Sequence, residues 1–339
     1  MKNRVLALLL LFLSIALLLA PTTGLATAKA EQTAYLGGIP IGIGLAENGL
    51  IVTGFVDVIT DEGAVCPARG REILTGDLVI AINGISVANA TDLASVLQRS
   101  KGEVTLTLKR GEQRLEVTLT PATDSLTGLK KMGLTLKNGI NGIGTMTFIL
   151  PESLKFGSLG HGIIDIDTGK PFVTDAGSIY QCRINGFKRP ENGKAGELTG
   201  SFVNRSAPIG KITKCNTFGV YGIADHIAIE GLTTIPIATR KEVKTGAAYI
   251  YSTISGETPK RYEIEIVKTA SQRSPQEKSM LLRVVDEELL RETGGILQGM
   301  SGSPIVQNGK LVGAVTHVLV NDSTLGYGLY LDWMLENVA

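Results

Sequence analysis

A glycine-flanked serine near the end of the chain constrains the fold more than any other feature. The segment reads Gly-Met-Ser-Gly-Ser-Pro over residues 299–304, and a strand, an Asn-Gly turn and a second strand follow it as far as His317. Glycines on both sides predict a tight turn that presents the Ser301 hydroxyl rigidly. The backbone N–H groups of Gly299 and Ser301 are expected to converge there into an oxyanion hole. This segment therefore predicts acyl-transfer chemistry in a β-rich fold.

A serine hydroxyl needs a general base, and the chain contains 3 histidines. His161 stands in a Leu-Gly-His-Gly turn between apolar strands and precedes the serine, which is the chain order of chymotrypsin-like enzymes. His317 lies within a predicted strand, and His226 follows an aspartate in an apolar stretch. A lone histidine in a strand is usually structural. We therefore favour His161 over His226 and His317, which stay open as alternatives.

The acidic partner of the histidine has several candidates. Such a residue must be buried and must accept a hydrogen bond from the imidazole Nδ1–H, whereas most aspartates are solvated turn residues. The candidates are Asp165, Asp167, Asp175, Asp225 and Asp286.

Composition excludes several other classes of protein. The 33 Lys+Arg against 32 Asp+Glu lack the basic footprint of a nucleic-acid binder, so no nucleic-acid partner is expected. The 43% hydrophobic residues exclude wholesale disorder, and 41 Gly with 12 Pro predict many turns between short strands. Scattered histidines and the lack of a Cys-x-x-Cys pair argue against zinc, so neither a metal nor a cofactor is expected.

The N-terminus has the pattern of an export signal. Lys2 and Arg4 precede an apolar run from Val5 to Ala20, and small residues suited to signal peptidase follow as far as Ala30. The alternative is an uncleaved anchor, because the run approaches the ~17 residues of a spanning helix. In both cases residues 1–30 form a signal or anchor helix, and the rest is expected outside the cytoplasm, secreted or membrane-associated.

The 3 cysteines allow at most one disulfide. Cys182 and Cys215 fall in the same expected domain, whereas Cys66 falls in another. The sequence leaves their pairing open, because a disulfide depends on the distance between the two residues.

The region from residue 35 to residue 122 predicts a small β-barrel with one main helix. A helix is expected over Ala90–Ser100, where apolar residues recur at helical spacing after a cap at Asn89 or Thr91. The predicted strands include Ile51–Val56, Asp77–Ile82, Val104–Lys109 and Arg114–Thr120.

This pattern, with the run Gly-Asp-Leu-Val-Ile-Ala-Ile-Asn-Gly over residues 76–84, resembles a bacterial PDZ domain. The resemblance implies that a peptide binds against a glycine-containing loop and the next strand. The residues at that position are Gly38, Ile39, Ile41, Gly42 and Ile43. Pro40 lacks an N–H donor, which favours internal or intramolecular peptides over a free carboxylate. The alternative is a barrel that only spaces the next domain from the membrane.

The segment around Ser301 resembles the nucleophile region of chymotrypsin-like serine peptidases. The resemblance implies a double β-barrel with Ser301, rather than Ser303, as the nucleophile. It also implies that the walls of the substrate cleft are Thr316, His317, Val318, Gly326, Tyr327 and Gly328.

The order of an export signal, a PDZ-like module and a serine-peptidase-like domain closely resembles the stage IV sporulation protein B peptidases. The shared motifs lie within residues 133–148, 159–168 and 294–305, and the resemblance covers nearly the whole chain. HtrA-type proteases, the second choice, carry PDZ domains after the protease. The expected domains are therefore a signal or anchor (1–30), a PDZ-like domain (35–122), a linker (123–132) and a serine peptidase domain (133–339).

The resemblance implies an exported serine endopeptidase of endospore formation that cleaves itself. It also cleaves a regulator of a membrane-embedded protease, in the space between the two forespore membranes, and so activates a late sigma factor. Ser301 and His161 are then catalytic, and Asp286 is implicated with them. The implied partners are this regulatory membrane protein and the chain's own N-terminal region. A general extracytoplasmic quality-control protease and a catalytically silent PDZ-containing scaffold are the alternatives.

Overall fold

The computed structural model describes residues 32–191 and 193–338 and is mainly β. The predicted signal or anchor helix lies outside these residues. Within them, no helix combines the length and the apolar character needed to cross a membrane.

The strands follow the short, turn-bounded pattern that the glycine content predicts. In chain order they are β1 (Thr33–Leu36), β2 (Pro40–Phe55), β3 (Val58–Thr60), β4 (Gly63–Val65), β5 (Leu78–Ile82), β6 (Ile85–Ser86), β7 (Val104–Arg110), β8 (Gln113–Leu119), β9 (Ala122–Thr123), β10 (Lys130–Lys131), β11 (Leu134–Ile149), β12 (Lys155–Ser158), β13 (Ile163–Ile164), β14 (Pro171–Phe172), β15 (Gly177–Lys188), β16 (Glu197–Phe202), β17 (Gly210–Asn216), β18 (Gly219–Ala224), β19 (Thr234–Pro236), β20 (Gly246–Ser252), β21 (Lys260–Thr269), β22 (Met280–Val284), β23 (Pro304–Gln307), β24 (Lys310–Leu319) and β25 (Asp322–Tyr330).

The helices are short. They are α1 (Ala90–Arg99), α2 (Glu287–Thr293) and α3 (Leu331–Leu335), with a 3₁₀ turn at His226–Ile229. The helix predicted in the PDZ-like module is confirmed, because α1 begins behind Asn89, whose side chain accepts the Asp92 N–H at 2.9 Å.

Two β-barrels form the part of the chain that is expected to be the peptidase domain. In the first, six strands pair in a closed ring, in the order β2, β11, β12, β18, β17 and β15. Its core contains Ile41, Ile43, Met146 and Phe156. The second is a closed barrel of β20, β21, β22, β25, β24 and β23. The double barrel expected from the sequence is therefore present.

The PDZ-like barrel has a hydrophobic core of its own. Leu50 and Val52 from the end of β2 pack there with Ile82, Leu106 and residues of α1. Leu134 and Leu136, at the start of β11, pack against the same core. Since β2 and β11 also pair with each other, each strand passes from one barrel into the other.

The boundaries between these parts differ from the prediction. Residues 33–46 form β1 and the first half of β2, which belong to the peptidase sheet, so the PDZ-like barrel is inserted between two strands of the peptidase. The segment expected as a linker (123–132) is ordered. Its strands β9 and β10 pair, and Met132 is buried in the PDZ-like core.

Glycine permits the crossing from one barrel to the other. The pairing of β11 with β2 shifts register between Lys137 and Gly139, and Gly139 has a φ of 153°. A Cβ atom on Gly139 would lie 2.0 Å from the Leu45 carbonyl oxygen. A larger residue there would push the two strands apart where they leave the PDZ-like barrel.

All three cysteines are free thiols in the described residues. Cys182 and Cys215 are buried, and burial raises the pKa of each thiol to about 11. Both therefore stay protonated at neutral pH and serve as packing residues.

Candidate active site

Ser301 lies on a turn that both barrels hold in place. Within the turn, Ser303 N–H donates to the Met300 carbonyl at 2.9 Å. From the second barrel, the Val315 carbonyl accepts the Gly302 N–H at 2.8 Å. From the first barrel, the Thr147 hydroxyl donates to the Gly302 carbonyl at 2.7 Å. The turn is thus fixed by contacts on two sides, as a rigidly presented nucleophile requires.

The two residues predicted to supply the oxyanion donors line the same cavity as His161. Gly299 and Ser301 both line a cavity of about 480 Å³. Neither N–H group donates a hydrogen bond to any residue that the structure describes. Two unoccupied backbone donors beside a serine are the arrangement that stabilises a tetrahedral oxyanion.

His161 reaches this cavity from the first barrel. It follows Leu159 and Gly160, which both have positive φ and turn the chain sharply after β12. The His161 Nδ1 atom lies 2.7 Å from the Gly162 carbonyl oxygen, so Nδ1 carries the proton and Nε2 is left as the basic atom. Burial lowers the pKa of His161, and the imidazole is therefore neutral at pH 7.

Ser301 and His161 line one cavity, which places the two predicted catalytic side chains together. The Ser301 hydroxyl donates to the Thr316 carbonyl at 2.7 Å, and not to the imidazole. The cavity is lined by Ile43, Leu45, Ile140, Gly142, Ile143, Leu159, His161, Gly162, Ile163, Ile164, Ala195, Leu297, Gln298, Gly299, Ser301, Thr316, His317, Val318 and Val320.

His317 is the second histidine of the cavity. Its ring centroid lies 4.7 Å from that of His161, and its Nδ1 atom is buried without a hydrogen-bond partner among the described residues. Burial lowers the pKa of His317 to about 4, and the positive charges of Lys278 and of His161 when it is protonated act in the same direction. His317 is therefore neutral, and it occupies the position of a cleft wall beside Thr316 and Val318. His226 is exposed and does not line this cavity.

The other predicted cleft residues lie one strand away, in β25. Gly326, Tyr327 and Gly328 do not line the cavity. They support its wall, because the Tyr327 carbonyl accepts a hydrogen bond from the Thr316 hydroxyl at 3.2 Å.

The structure does not bring Asp286 to the histidine. Asp286 is the N-cap of α2, where its carboxylate accepts the Leu289 N–H at 2.9 Å and the Glu263 N–H at 3.1 Å. It does not line the cavity, and the partner of His161 Nδ1 is a backbone carbonyl instead. A triad with Asp286 is therefore not formed. Its sequence signal is that of a cap, an aspartate directly before the acidic first turn of a helix.

Glu277 is a residue near the site that no sequence pattern indicated. It lies in the loop before β22. Burial lowers the pKa of His161, and the hydrogen bond to Gly162 and, to a smaller extent, the charge of Glu277 act against this effect. Glu277 is half-buried, and no motif marks it in the sequence.

The predicted peptide-binding residues do not lie at an open edge of the PDZ-like barrel. The strand that holds Ile41, Gly42 and Ile43 pairs on one side with β11 and on the other with β15. Ile41 and Ile43 are buried in the first peptidase barrel. The Gly38 carbonyl accepts a hydrogen bond from the Thr253 hydroxyl at 3.0 Å, and the Ile39 carbonyl accepts one from the Met146 N–H at 3.0 Å. With both edges paired, this strand cannot take an added peptide.

An open edge lies on β11 instead. Over Leu134–Lys137, β11 pairs with β2 along one edge only, and no other strand of the described residues pairs with it there. Helix α1 packs beside this stretch, and Asn138 donates to the Ala88 carbonyl at 3.2 Å. The unpaired edge of this barrel is therefore on β11, and not on the strand that holds the predicted peptide-binding residues.

We expect replacement of Asp286 by asparagine to leave kcat/KM within about threefold, because asparagine caps a helix as well as aspartate does. A triad aspartate would instead lose about 10⁴-fold on the same substitution. Asp286→Ala removes the cap and should cost about 0.5–2 kcal/mol of unfolding free energy. Peptide hydrolysis and urea unfolding of both variants measure these effects. A 10³-fold loss in a folded Asp286→Asn protein would restore the triad assignment.

Comparison with known proteins identifies the family. The family model described as SpoIVB peptidase S55 matches residues 128–335. Among solved structures, the PDZ domain of an SdrC-like protein from Listeria monocytogenes is 20% identical, over 27% of this chain and 90% of that domain, with a TM-score of 0.22. The inactive form of the Rv3671c protease is 13% identical, over 58% of this chain and 84% of that one, with a TM-score of 0.32. No curated protein sequence matches. Since the family model matches more than half of its length, the chain belongs to the SpoIVB peptidase S55 family.

Proposed function

We propose that this chain is a serine endopeptidase in which Ser301 is the nucleophile and His161 the general base. The observation that carries the proposal is the shared cavity, where the serine, the neutral imidazole and two free backbone N–H groups meet. Each of these groups has a defined task in acyl transfer, and together they suffice for it without a metal or cofactor.

The reaction begins when the Ser301 hydroxyl turns from the Thr316 carbonyl to the Nε2 atom of His161. His161 takes the proton as the serine oxygen attacks the peptide carbonyl, and the N–H groups of Gly299 and Ser301 stabilise the oxyanion. The imidazolium then gives its proton to the leaving amine, and water hydrolyses the acyl-enzyme. The Gly162 carbonyl holds the imidazole in the correct tautomer throughout, in place of a carboxylate.

The cavity also selects the substrate. Aliphatic side chains dominate its lining, among them Ile143, Leu159, Leu297 and Val318. Binding a large aliphatic side chain of the substrate there removes apolar surface from water on both sides. The preferred peptide therefore carries such a residue next to the bond that is cut.

The biological role that we propose is the one that the family resemblance implies. The proposed substrates are the chain's own N-terminal region and a regulatory membrane protein, cleaved outside the cytoplasm during endospore formation. A signalling enzyme of this kind cuts few sites, whereas a quality-control protease degrades unfolded protein broadly. A silent scaffold cuts nothing.

The decisive experiment compares the purified wild type with Ser301→Ala. We expect wild-type protein to generate a few new N-termini in itself and to leave unfolded casein largely intact, whereas Ser301→Ala generates none. The alanine removes one hydrogen bond, to Thr316, so its melting temperature should stay close to that of the wild type. Mass spectrometry of the N-termini is the measurement. Cleavage by folded Ser301→Ala would refute the serine mechanism, and broad casein digestion would favour quality control.

A further inference from the structure

One lysine joins the PDZ-like part of β11 to the loop that follows His161. Lys137 lies at the end of the β11 stretch that pairs with the PDZ-like half of β2. Its Nζ atom lies 2.6 Å from Asp165 Oδ1 and also forms an ion pair with Asp167. Both aspartates belong to the segment directly after the catalytic histidine, so the ion pairs cross between two functional parts of the molecule.

The ion pair between Lys137 and Asp165 is sheltered from solvent, whereas Asp167 is half exposed. The side chain of Asp165 is 4% exposed and that of Lys137 is 24% exposed. Burial lowers the pKa of Lys137, but its hydrogen bonds to Asp165 and Asp167 outweigh this effect and hold the pKa above its ordinary value. Burial likewise raises the pKa of Asp165, while Lys137 brings it below its ordinary value. Removing one partner would leave a buried charge unpaired, which is costly.

Asp165 is also the first residue of the turn in a short hairpin, residues 163–172. Strands β13 and β14 form its sides, with Ile163 paired to Phe172. Asp165 N–H donates to the Lys170 carbonyl at 2.9 Å, and Gly169 N–H donates to the Asp165 carbonyl at 2.7 Å. These bonds tie the two sides of the hairpin together, and Lys137 contacts the hairpin from outside through Asp165.

The hairpin begins at the residue after Gly162. The Gly162 carbonyl is the group that accepts the Nδ1–H of His161, so a displacement of the hairpin changes the orientation of the imidazole. A continuous series of contacts thus runs from Lys137 through Asp165 and the hairpin to His161.

We propose that Lys137 is a positioning residue that sets the orientation of His161, and that through it the PDZ-like barrel supports the catalytic site. The kinetic part of this inference rests on the proposed peptidase function. Lys137 touches neither the serine nor the cavity, so it acts only through the hairpin. Movement of β11 in the PDZ-like barrel therefore changes the rate of the chemical step rather than substrate binding.

The test is Lys137→Met in the full chain. We expect kcat to fall about tenfold to a hundredfold, with KM within twofold, because small errors in positioning act on the chemical step. Lys137→Arg keeps the charge and should recover most of the loss. In ¹³C-histidine-labelled Ser301→Ala protein, Lys137→Met should shift and broaden the His161 imidazole signal, a readout that needs no peptidase activity.

Lys131→Met is the matched control. Lys131 forms an ion pair of the same kind in the same barrel, at 2.9 Å to the buried Asp124, but it has no contact with the hairpin in the described residues. It should lower stability without changing kcat or the His161 signal. If Lys137→Met does not fold, Asp167→Asn replaces it and should produce smaller changes in the same direction, since Asp167 is the more exposed partner.

An unchanged kcat and His161 signal in folded Lys137→Met, or equal changes in Lys131→Met, would overturn the proposal. Failure of the peptidase function has a different signature. In that case Ser301→Ala would retain whatever activity the wild type has, while the Lys137 variants would still alter the His161 signal.

Discussion

Replacing His161 with alanine should lower kcat/KM by about 10⁴–10⁶-fold while the protein remains folded. The imidazole is the group placed to take the serine proton, and its Nε2 atom is kept basic by the bond from Nδ1–H to Gly162. Its one hydrogen bond in the described residues is to the adjacent residue, so alanine leaves the hydrogen bonds of the barrels intact. Hydrolysis of a peptide with an aliphatic residue next to the cut bond, with circular dichroism, measures both effects.

The other histidines are the controls. His226 is exposed on the 3₁₀ turn, so His226→Ala should retain wild-type activity. His317→Ala opens space beside His161 and should lower kcat/KM by less than His161→Ala does. A larger loss in His317→Ala than in His161→Ala would make His317 the base, which is the alternative left open by the sequence.

The burial of His161 and His317 also predicts how activity and stability depend on pH. Because burial lowers the pKa of His161, the basic form persists below pH 6.5, and the acid limb of kcat/KM should have its midpoint below that value. The unfolded chain binds protons at His161 and His317 that the folded chain does not. Unfolding free energy should therefore fall as pH drops from 6.5 towards 4.

Much of the geometry of the candidate site was predictable because its sequence signals are local. The glycines around Ser301 and His161 mark turns whose conformation is set within a few residues, and both turns carry the side chains that the sequence assigned to them. The helix behind Asn89 was predictable for the same reason, since a cap and an apolar face lie within one short segment.

The insertion of the PDZ-like barrel was not predictable from such signals. Residues 40–46 pair with residues 139–145 and 177–181, which lie far along the chain. The local sequence pattern of a strand does not indicate which distant strands it pairs with. The resemblance to a PDZ domain assigned the whole region to one barrel. The glycines and isoleucines of residues 38–43 were therefore interpreted as a peptide-binding loop, because their composition is typical of one. In the structure Ile41 and Ile43 belong to the core of the first peptidase barrel.

The prediction of Asp286 as the acidic partner of His161 was wrong for a different reason. Asp286 stands directly before α2, where a capping residue is expected. Helix capping alone explains an aspartate at this position, but the family resemblance assigned it a catalytic role. Glu277 has no signal in the sequence, because its effect on His161 arises only from where the loop before β22 lies in the folded chain.

Replacing Gly302 with alanine should destabilise the protein by about 2–5 kcal/mol and remove most activity from the part that folds. Gly302 has a φ of 96°, and an added Cβ would lie 2.0 Å from the Thr145 carbonyl oxygen and 2.6 Å from the Leu159 nitrogen. The left-handed backbone costs an alanine about 1–2 kcal/mol, and the forced movement of packed backbone costs about 1–3 kcal/mol. That movement separates the serine turn from the strand and loop that carry His161. Urea unfolding and kcat/KM at low temperature measure the two losses.

Gly309→Ala is the control that separates the effect of backbone strain from the effect of displaced neighbouring backbone. Gly309 has a φ of 74° but nothing within 4 Å of an added Cβ, so alanine there has the backbone strain without the clash. It should cost about 1–2 kcal/mol and leave kcat/KM unchanged. Since the bonds from Thr145 N–H to the Ser301 carbonyl and from the Thr147 hydroxyl to the Gly302 carbonyl join the two barrels at this turn, Gly302→Ala acts on the alignment of serine and histidine. Equal stability and activity losses in the two variants would show that backbone strain alone, and not the contact between the barrels, sets the requirement for glycine.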